Sequence, residues 1–335
     1  MPTFTVFKGS KGGIAKEAKT TRPDELTGDD VLVKITASGL CGTDLHYKEQ
    51  DMVLGHEGVG VVERVGPDVK NLKQGDRVGW GYNTNSCGLC VRCLEGEDVF
   101  CAERGLYGSV NRDQGSLGYQ AIWREAFLHP IPDALSDEDA APLQCAGATV
   151  FTTLYGVAPN ETVAIMGVGG LGHLAIQFAA KLGCRVVVLS GSDSKRDEAI
   201  RLGAHEFVAM KNLSRDSKDS PLKGTIDRLL VTTSAQPDWS LILPMMATKS
   251  SIYPLSVSGG NFEIPYMPVI LTGISIKGSL VATRVVHRQM LEFAATHNIK
   301  PVTETFPMTE EGIAEAINKL EAGKLHFRAV LKSQL

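Results

Sequence analysis

Residues 162–183 read TVAIMGVGGLGHLAIQFAAKLG. An apolar run, Thr162 to Met166, predicts a buried strand. It leads into Gly167-Val168-Gly169-Gly170-Leu171-Gly172 and then into a helical apolar pattern. Gly167, Gly169 and Gly172 occupy the G-x-G-x-x-G positions, which allow a tight turn, close approach of a pyrophosphate and packing of helix on strand. The pattern alone is weak evidence. Here a second apolar strand, CRVVVLS (Cys184 to Ser190), follows the helix and completes a β-α-β unit. A dinucleotide-binding β-α-β unit is therefore expected, with Gly167, Gly169, Gly170, Leu171 and Gly172 against the dinucleotide. Val163 to Ala180 is also long and apolar enough to raise a membrane span. Four glycines, His173 and Gln177 within it argue against that reading.

The end of the second strand predicts which dinucleotide. An acidic residue there binds the ribose 2′-hydroxyl of NAD. This chain has Ser190 instead, within SGSDSKRDEA. Ser190, Ser192, Lys195 and Arg196 offer hydroxyls and positive charge, which suits the 2′-phosphate of NADP(H). Asp193 is the one contrary charge, and Lys195 and Arg196 could instead merely start a solvated helix.

The chain has 335 residues, a length that suggests two domains, and 43% of them are hydrophobic. A net charge of −4 gives no reason to expect a nucleic-acid or membrane partner. The first residues, MPTFTVFKGSKGG, contain no apolar signal core, so a cytoplasmic location is expected. In that reducing setting structural disulfides are rare, and the seven cysteines call for another explanation.

Four of them, Cys87, Cys90, Cys93 and Cys101, follow the spacing C-x2-C-x2-C-x7-C in CGLCVRCLEGEDVFC. Two-residue gaps let thiolates curl around one ion, and four ligands close the site, so a structural zinc that braces a loop is expected. Spacing alone also allows an iron–sulfur cluster. Three other segments carry ligand types: GLCGTDLH with Cys41, Thr43, Asp44 and His46; LGHEGVGVV with His56 and Glu57; and PLQCAGATV with Cys145. Cys41, His56 and Cys145 would form a Cys2His set with a fourth position open for water or substrate, as in catalytic zinc sites. Spacing cannot prove this set, because a lone buried Cys is usually an apolar filler. Asp44 could orient the His56 imidazole, and Glu57 could do similar work or enter the metal shell transiently. Cys184 remains as a buried spare.

These segments, together with GDRVGWG and the four-cysteine lobe, resemble the zinc-dependent medium-chain alcohol dehydrogenases over essentially the full chain. The SGSDSK segment resembles their cinnamyl-alcohol-dehydrogenase branch, whose members use NADPH. The resemblance implies an α/β fold: a GroES-like β-barrel catalytic domain at 1–150 and 285–335, and an NADP-binding Rossmann domain with a doubly wound parallel sheet at 151–284. It implies two zincs per chain and a small alcohol or aldehyde substrate. It implies a homodimer or homotetramer, with Gly273 to Ser279 as the pairing edge, and places Arg328 on the cofactor pyrophosphate. The polar run Lys211 to Gly224 is expected to be a surface loop.

Three departures bear on the substrate. Only fourteen residues separate Cys41 from His56, where family members usually have several more that wall the substrate cleft. Gly42 stands where some members have a phosphate-binding arginine, and VVHRQM where relatives often place acidic residues. Trp80, Tyr82 and Asn83 are expected as pocket-wall residues by position. In the implied mechanism zinc polarises a carbonyl and NADPH delivers hydride. Thr43 then supplies the proton, relayed through the cofactor ribose to His46. The segment TDLH could also start a helix with Thr43 as its N-cap. Two other readings remain open at this point: a zinc-containing relative that reduces an iminium or activated alkene, and a non-enzymatic cofactor-binding protein.

Overall fold

The structure, a computed structural model, describes residues 3–21, 25–212 and 222–334. The chain divides into two compact units, Met1–Ala148 with Val281–Leu335, and Thr149–Leu280. The expected loop Lys211 to Gly224 falls largely outside the described residues.

The first unit is built on a seven-stranded sheet. Its main path runs Thr303–Pro307, Arg328–Lys332, Asp30–Leu40, Glu57–Val65, Arg77–Trp80 and His129–Pro130, with Gln120–Arg124 also pairing with Asp30–Leu40. All neighbours are antiparallel except the parallel pair formed by the C-terminal strands. The core packs Phe7, Val33, Ile35, Leu40, Leu54, Trp80, Trp123 and Phe127. Trp80, expected on a pocket wall, is fully buried in that core against Trp123, with ring centroids 5.4 Å apart. The reason is its register: Trp80 pairs with Gly58, and a Cβ on Gly58 would collide with the indole. The C-terminal strand Arg328–Lys332 lies against Ala37 to Leu40, whose other neighbour begins at Glu57. Three strand ends therefore converge on one place.

The second unit has six parallel strands in the order Glu206–Ala209, Arg185–Ser190, Thr162–Met166, Ile226–Val231, Met246–Pro254, Ser275–Ile276. Numbered along the unit this is 3-2-1-4-5-6, the doubly wound order of dinucleotide-binding sheets. Every residue of Thr162–Met166 is buried, as central parallel strands require. The apolar run at 163–180 resolves into this strand, the glycine turn and the helix Gly172–Lys181. Among the described residues, no helix is long and apolar enough to cross a membrane. Cys184 is buried at the entry to the second strand, and burial pushes its thiol up to about 11.

Candidate active site

The short helix Gly42–Tyr47 starts on Cys41. Cys41 is its N-cap: its Sγ accepts from the Thr43 N–H at 3.4 Å, and the Asp44 carboxylate accepts from the Cys41 N–H at 3.0 Å. This capping box differs from the expected one, because Cys41 and not Thr43 caps. The Thr43 hydroxyl is left out of the cap. The same carboxylate turns toward His56, with Asp44 Oδ1 at 3.1 Å from Nδ1. Tyr107 Oη donates to that oxygen at 3.0 Å and stacks on the imidazole at 4.7 Å between centroids. Asp44 and His56 are each 1% exposed. With Nδ1–H donated to Asp44, the His56 lone pair sits on Nε2, which lies 3.2 Å from Cys41 Sγ.

Cys145 joins this pair from a π-turn, Leu143–Gly147, that interrupts the helical run Asp137–Leu154. The ligand atoms of Cys41, His56, Glu57 and Cys145 all lie within 4.8 Å of one another. A hydrogen bond from Cys145 and the nearby His56 hold the Cys41 thiol well below its ordinary value. Cys145 is pushed up by its bond to Cys41 and by burial. Burial opposes charge on His56, but Cys41 and Asp44 outweigh it and raise its pKa. Two thiols and an imidazole that cannot share their charges comfortably are a donor set suited to a divalent cation, and Cys2His suits zinc.

Glu57 is fully buried and pairs with Arg328, both carboxylate oxygens facing Nη2. Gly39 makes room for it, since a Cβ there would collide with the carboxylate. Burial pushes the Glu57 carboxyl up to about 7 against the pull of Arg328. The structure thus seats Arg328 on Glu57, and its buried Nε has no partner among the described residues.

The four other cysteines form the second cluster, again within 4.8 Å. Their sulfurs are 3.9 Å apart for Cys87 and Cys93, 3.6 Å for Cys90 and Cys93, and 3.6 Å for Cys87 and Cys101. Zinc–sulfur bonds of ~2.3 Å give a tetrahedral edge of about 3.8 Å. Backbone N–H groups of Leu89 and Cys90 pull Cys87 down to about 7. The Cys93 N–H pulls on Cys90 too, but partial burial and the thiols of Cys87, Cys93 and Cys101 drive it up to about 11. All four are free thiols. The spacing and the charge conflict fit a closed metal site.

In the second unit, Gly167 has φ +98°, a value few side chains tolerate. A Cβ on Gly172 would collide with the Gly167 carbonyl, whereas a Cβ on Gly169 or Gly191 would meet nothing within 4 Å. The loop is tight where it turns and open where a ligand would approach. Lys195 reaches back to it, with Nζ donating to the Val168 carbonyl at 2.7 Å. Asp193 is engaged by Arg196 at 2.8 Å and Lys211 at 3.5 Å, which holds its carboxyl below the usual range. Ser192 Oγ lies 2.9 Å from Ser194 Oγ, and half-buried Ser190 closes its strand.

Of the expected pocket-wall residues, Tyr82 borders the first cluster, its ring 5.7 Å from that of His56. Asn83 is buried and donates to Asp98 at 3.3 Å. Thr43 is half-buried and His46 exposed, on one helix at a spacing that puts them on the same face. Sequence reasoning missed Tyr107, which carries no local motif. It also missed Ser116, whose Oγ accepts from the Glu57 N–H at 3.2 Å.

Two family models match the chain: the alcohol dehydrogenase GroES-like domain over residues 27–133, and the zinc-binding dehydrogenase domain over 170–296. An alcohol dehydrogenase of Geobacillus stearothermophilus is 35% identical over 95% of this chain and 96% of its own. The NADP-dependent alcohol dehydrogenase C 1 of Mycolicibacterium smegmatis is 32% identical over 93% of each chain. A cinnamyl alcohol dehydrogenase structure from Sorghum bicolor superposes with a TM-score of 0.90 at 30% identity, covering 99% of this chain and 98% of that one. The chain belongs to the zinc-type medium-chain alcohol dehydrogenases, in their cinnamyl-alcohol-dehydrogenase-like branch, and its activity is that of an alcohol dehydrogenase or aldehyde reductase.

Proposed function

We propose that the enzyme interconverts a small alcohol and its aldehyde or ketone with NADP(H), using one catalytic and one structural zinc per chain. The observation that carries this reading is the meeting of Cys41, His56 and Cys145, with Asp44 holding the imidazole by its far nitrogen. Zinc there would polarise the carbonyl oxygen, and NADPH would supply hydride to its carbon. The chain's own groups do the rest. Cys41, His56 and Cys145 hold the metal, and Asp44 and Tyr107 fix the His56 ring. Glu57 offsets the buried charge of Arg328. Arg328 is the residue proposed for the cofactor pyrophosphate. The Thr43 hydroxyl gives its proton to the oxygen of the reduced carbonyl, which completes the alcohol, and recovers one from solvent by way of His46. Gly167, Gly169, Gly170, Leu171 and Gly172 cradle the cofactor, and Ser190, Ser192 and Lys195 take its 2′-phosphate. The closed four-cysteine site braces its lobe.

Two further points belong to the same reading. The sheet ends on the exposed strand Ser275–Ile276, next to a helix whose Tyr266, Met267, Ile270 and Leu271 are exposed. An apolar helix beside an open strand edge suits pairing with a second copy, hence a homodimer or an assembly of dimers. The clustered free thiols suit the reducing cytoplasm. The test is NADPH oxidation by the zinc-loaded enzyme across aliphatic, aromatic and cyclic carbonyls, with enones and iminium ions as controls. Turnover of aldehydes is expected; turnover confined to enones or iminium ions would replace the carbonyl assignment.

A further inference from the structure

Next to the ligand Cys145 the chain carries Gln144, a polar residue with no exposure at all. Its amide is held from three sides. Nε2 donates to the Ala140 carbonyl at 3.0 Å. Oε1 faces His287 Nε2 at 2.9 Å. Below it runs the strand Arg77–Trp80, where a Cβ on Gly79 would meet the amide at 2.6 Å. Because the NH2 group is committed to Ala140, Oε1 must accept, and the proton of His287 must sit on Nε2. His287 is held in turn by His129, stacked on it at 3.8 Å between centroids and 13° between planes. His129 pairs in register with Gly79, which closes the cluster.

An apolar side chain at 144 would fill this space without needing a partner on a distant helix. The polar one occurs at the turn that presents a metal ligand, where the α-helical ladder gives way to the π-turn and the Ala148 N–H reaches back to the Leu143 carbonyl. We propose that Gln144 and His287 are positioning residues for the Cys145 thiolate. The His287 N–H locks the Gln144 amide, and the amide fixes the π-turn so that Cys145 faces Cys41 and His56. This rests on the zinc reading above.

The test measures release of metal to a chelator from the holoenzyme, and the absorption bands of the cobalt-substituted protein. Of two metal equivalents, one should leave at least about tenfold faster in His287→Leu and in Gln144→Leu, as for other supports of ligand residues. The other, held by the four cysteines, should leave at the wild-type rate. The cobalt–thiolate bands should shift in both variants, and His287→Gln, which can restore an N–H to Oε1, should return rate and bands toward wild type. The inference is overturned if both equivalents are released at wild-type rates. It is overturned equally if both accelerate together, as in general loosening of the fold, or if His287→Gln behaves as His287→Leu. A wild-type protein that binds metal only at the four-cysteine site would instead overturn the zinc reading itself.

Discussion

At the scale of single residues, the proposed site divides its duties among side chains that substitution can separate. Cys145→Ser removes a ligand of the proposed catalytic site, so turnover should fall by orders of magnitude while the melting temperature changes little. Retention of full kcat would remove Cys145 from the site. The proposed cofactor preference rests on Ser190, Ser192 and Lys195. Charge-assisted hydrogen bonds contribute roughly 1.5–3 kcal/mol each, so two of them imply a preference for NADPH over NADH of about a hundredfold or more in kcat/KM. Ser190→Asp should lower NADPH use and spare or raise NADH use, and initial rates with both cofactors check it. Sequence made the ligand types and the glycine pattern visible because each sits in a short local motif. The partners of those residues were invisible for the opposite reason. Tyr107 meets Asp44 across 63 positions and His287 meets Gln144 across 143, and only the folded sheet brings them together.

At the scale of elements, the four-cysteine lobe and the buried histidine pair respond differently to conditions. Cys93→Ser breaks the proposed closed metal site, where bound metal would stabilise only the folded lobe, so melting should drop by several degrees before turnover is affected. A wild-type melting curve for this variant would show that the lobe needs no metal. The histidines predict a pH dependence. Burial, with the stacked His287 and the charges of Arg288 and Arg284 on the adjoining helix, holds His129 well below its ordinary value, and burial with Arg288 holds His287 at about 3. Below pH ~6.5 the unfolded chain then binds protons that the folded chain refuses, so stability falls as pH falls. Each histidine costs up to about 1.4 kcal/mol per pH unit there. The melting temperature of wild type should therefore fall relative to that of His287→Leu from pH 7 to pH 5.5; a constant difference would mean that His287 charges in the folded state. Strands at 162–166 and 185–190 were readable from continuous apolar runs. The π-turn at 143–147 was not, since one inserted residue leaves no periodic mark, and Trp80 was misplaced because its depth depends on Gly58 in the neighbouring strand.

At the scale of the whole molecule, one unit has the strand order of dinucleotide-binding sheets, and the converging strand ends of the other bring Glu57 beside the ligand types of the proposed metal site. The open edge at Ser275–Ile276 makes an assembly prediction: Leu271→Glu with Ile276→Lys should yield a smaller species by light scattering, and unchanged mass would place the pairing surface elsewhere. The central claim is that this chain reduces a carbonyl with NADPH at a zinc held by Cys41, His56 and Cys145. The most direct measurement follows NADPH oxidation with an aldehyde substrate in one preparation before chelation, after removal of the faster-leaving metal, and after zinc is restored. The account predicts turnover, its loss, and its return, with about one zinc equivalent per chain retained throughout by the four cysteines. Undiminished oxidation after that metal has gone, or none with any carbonyl while two equivalents are bound, would contradict it.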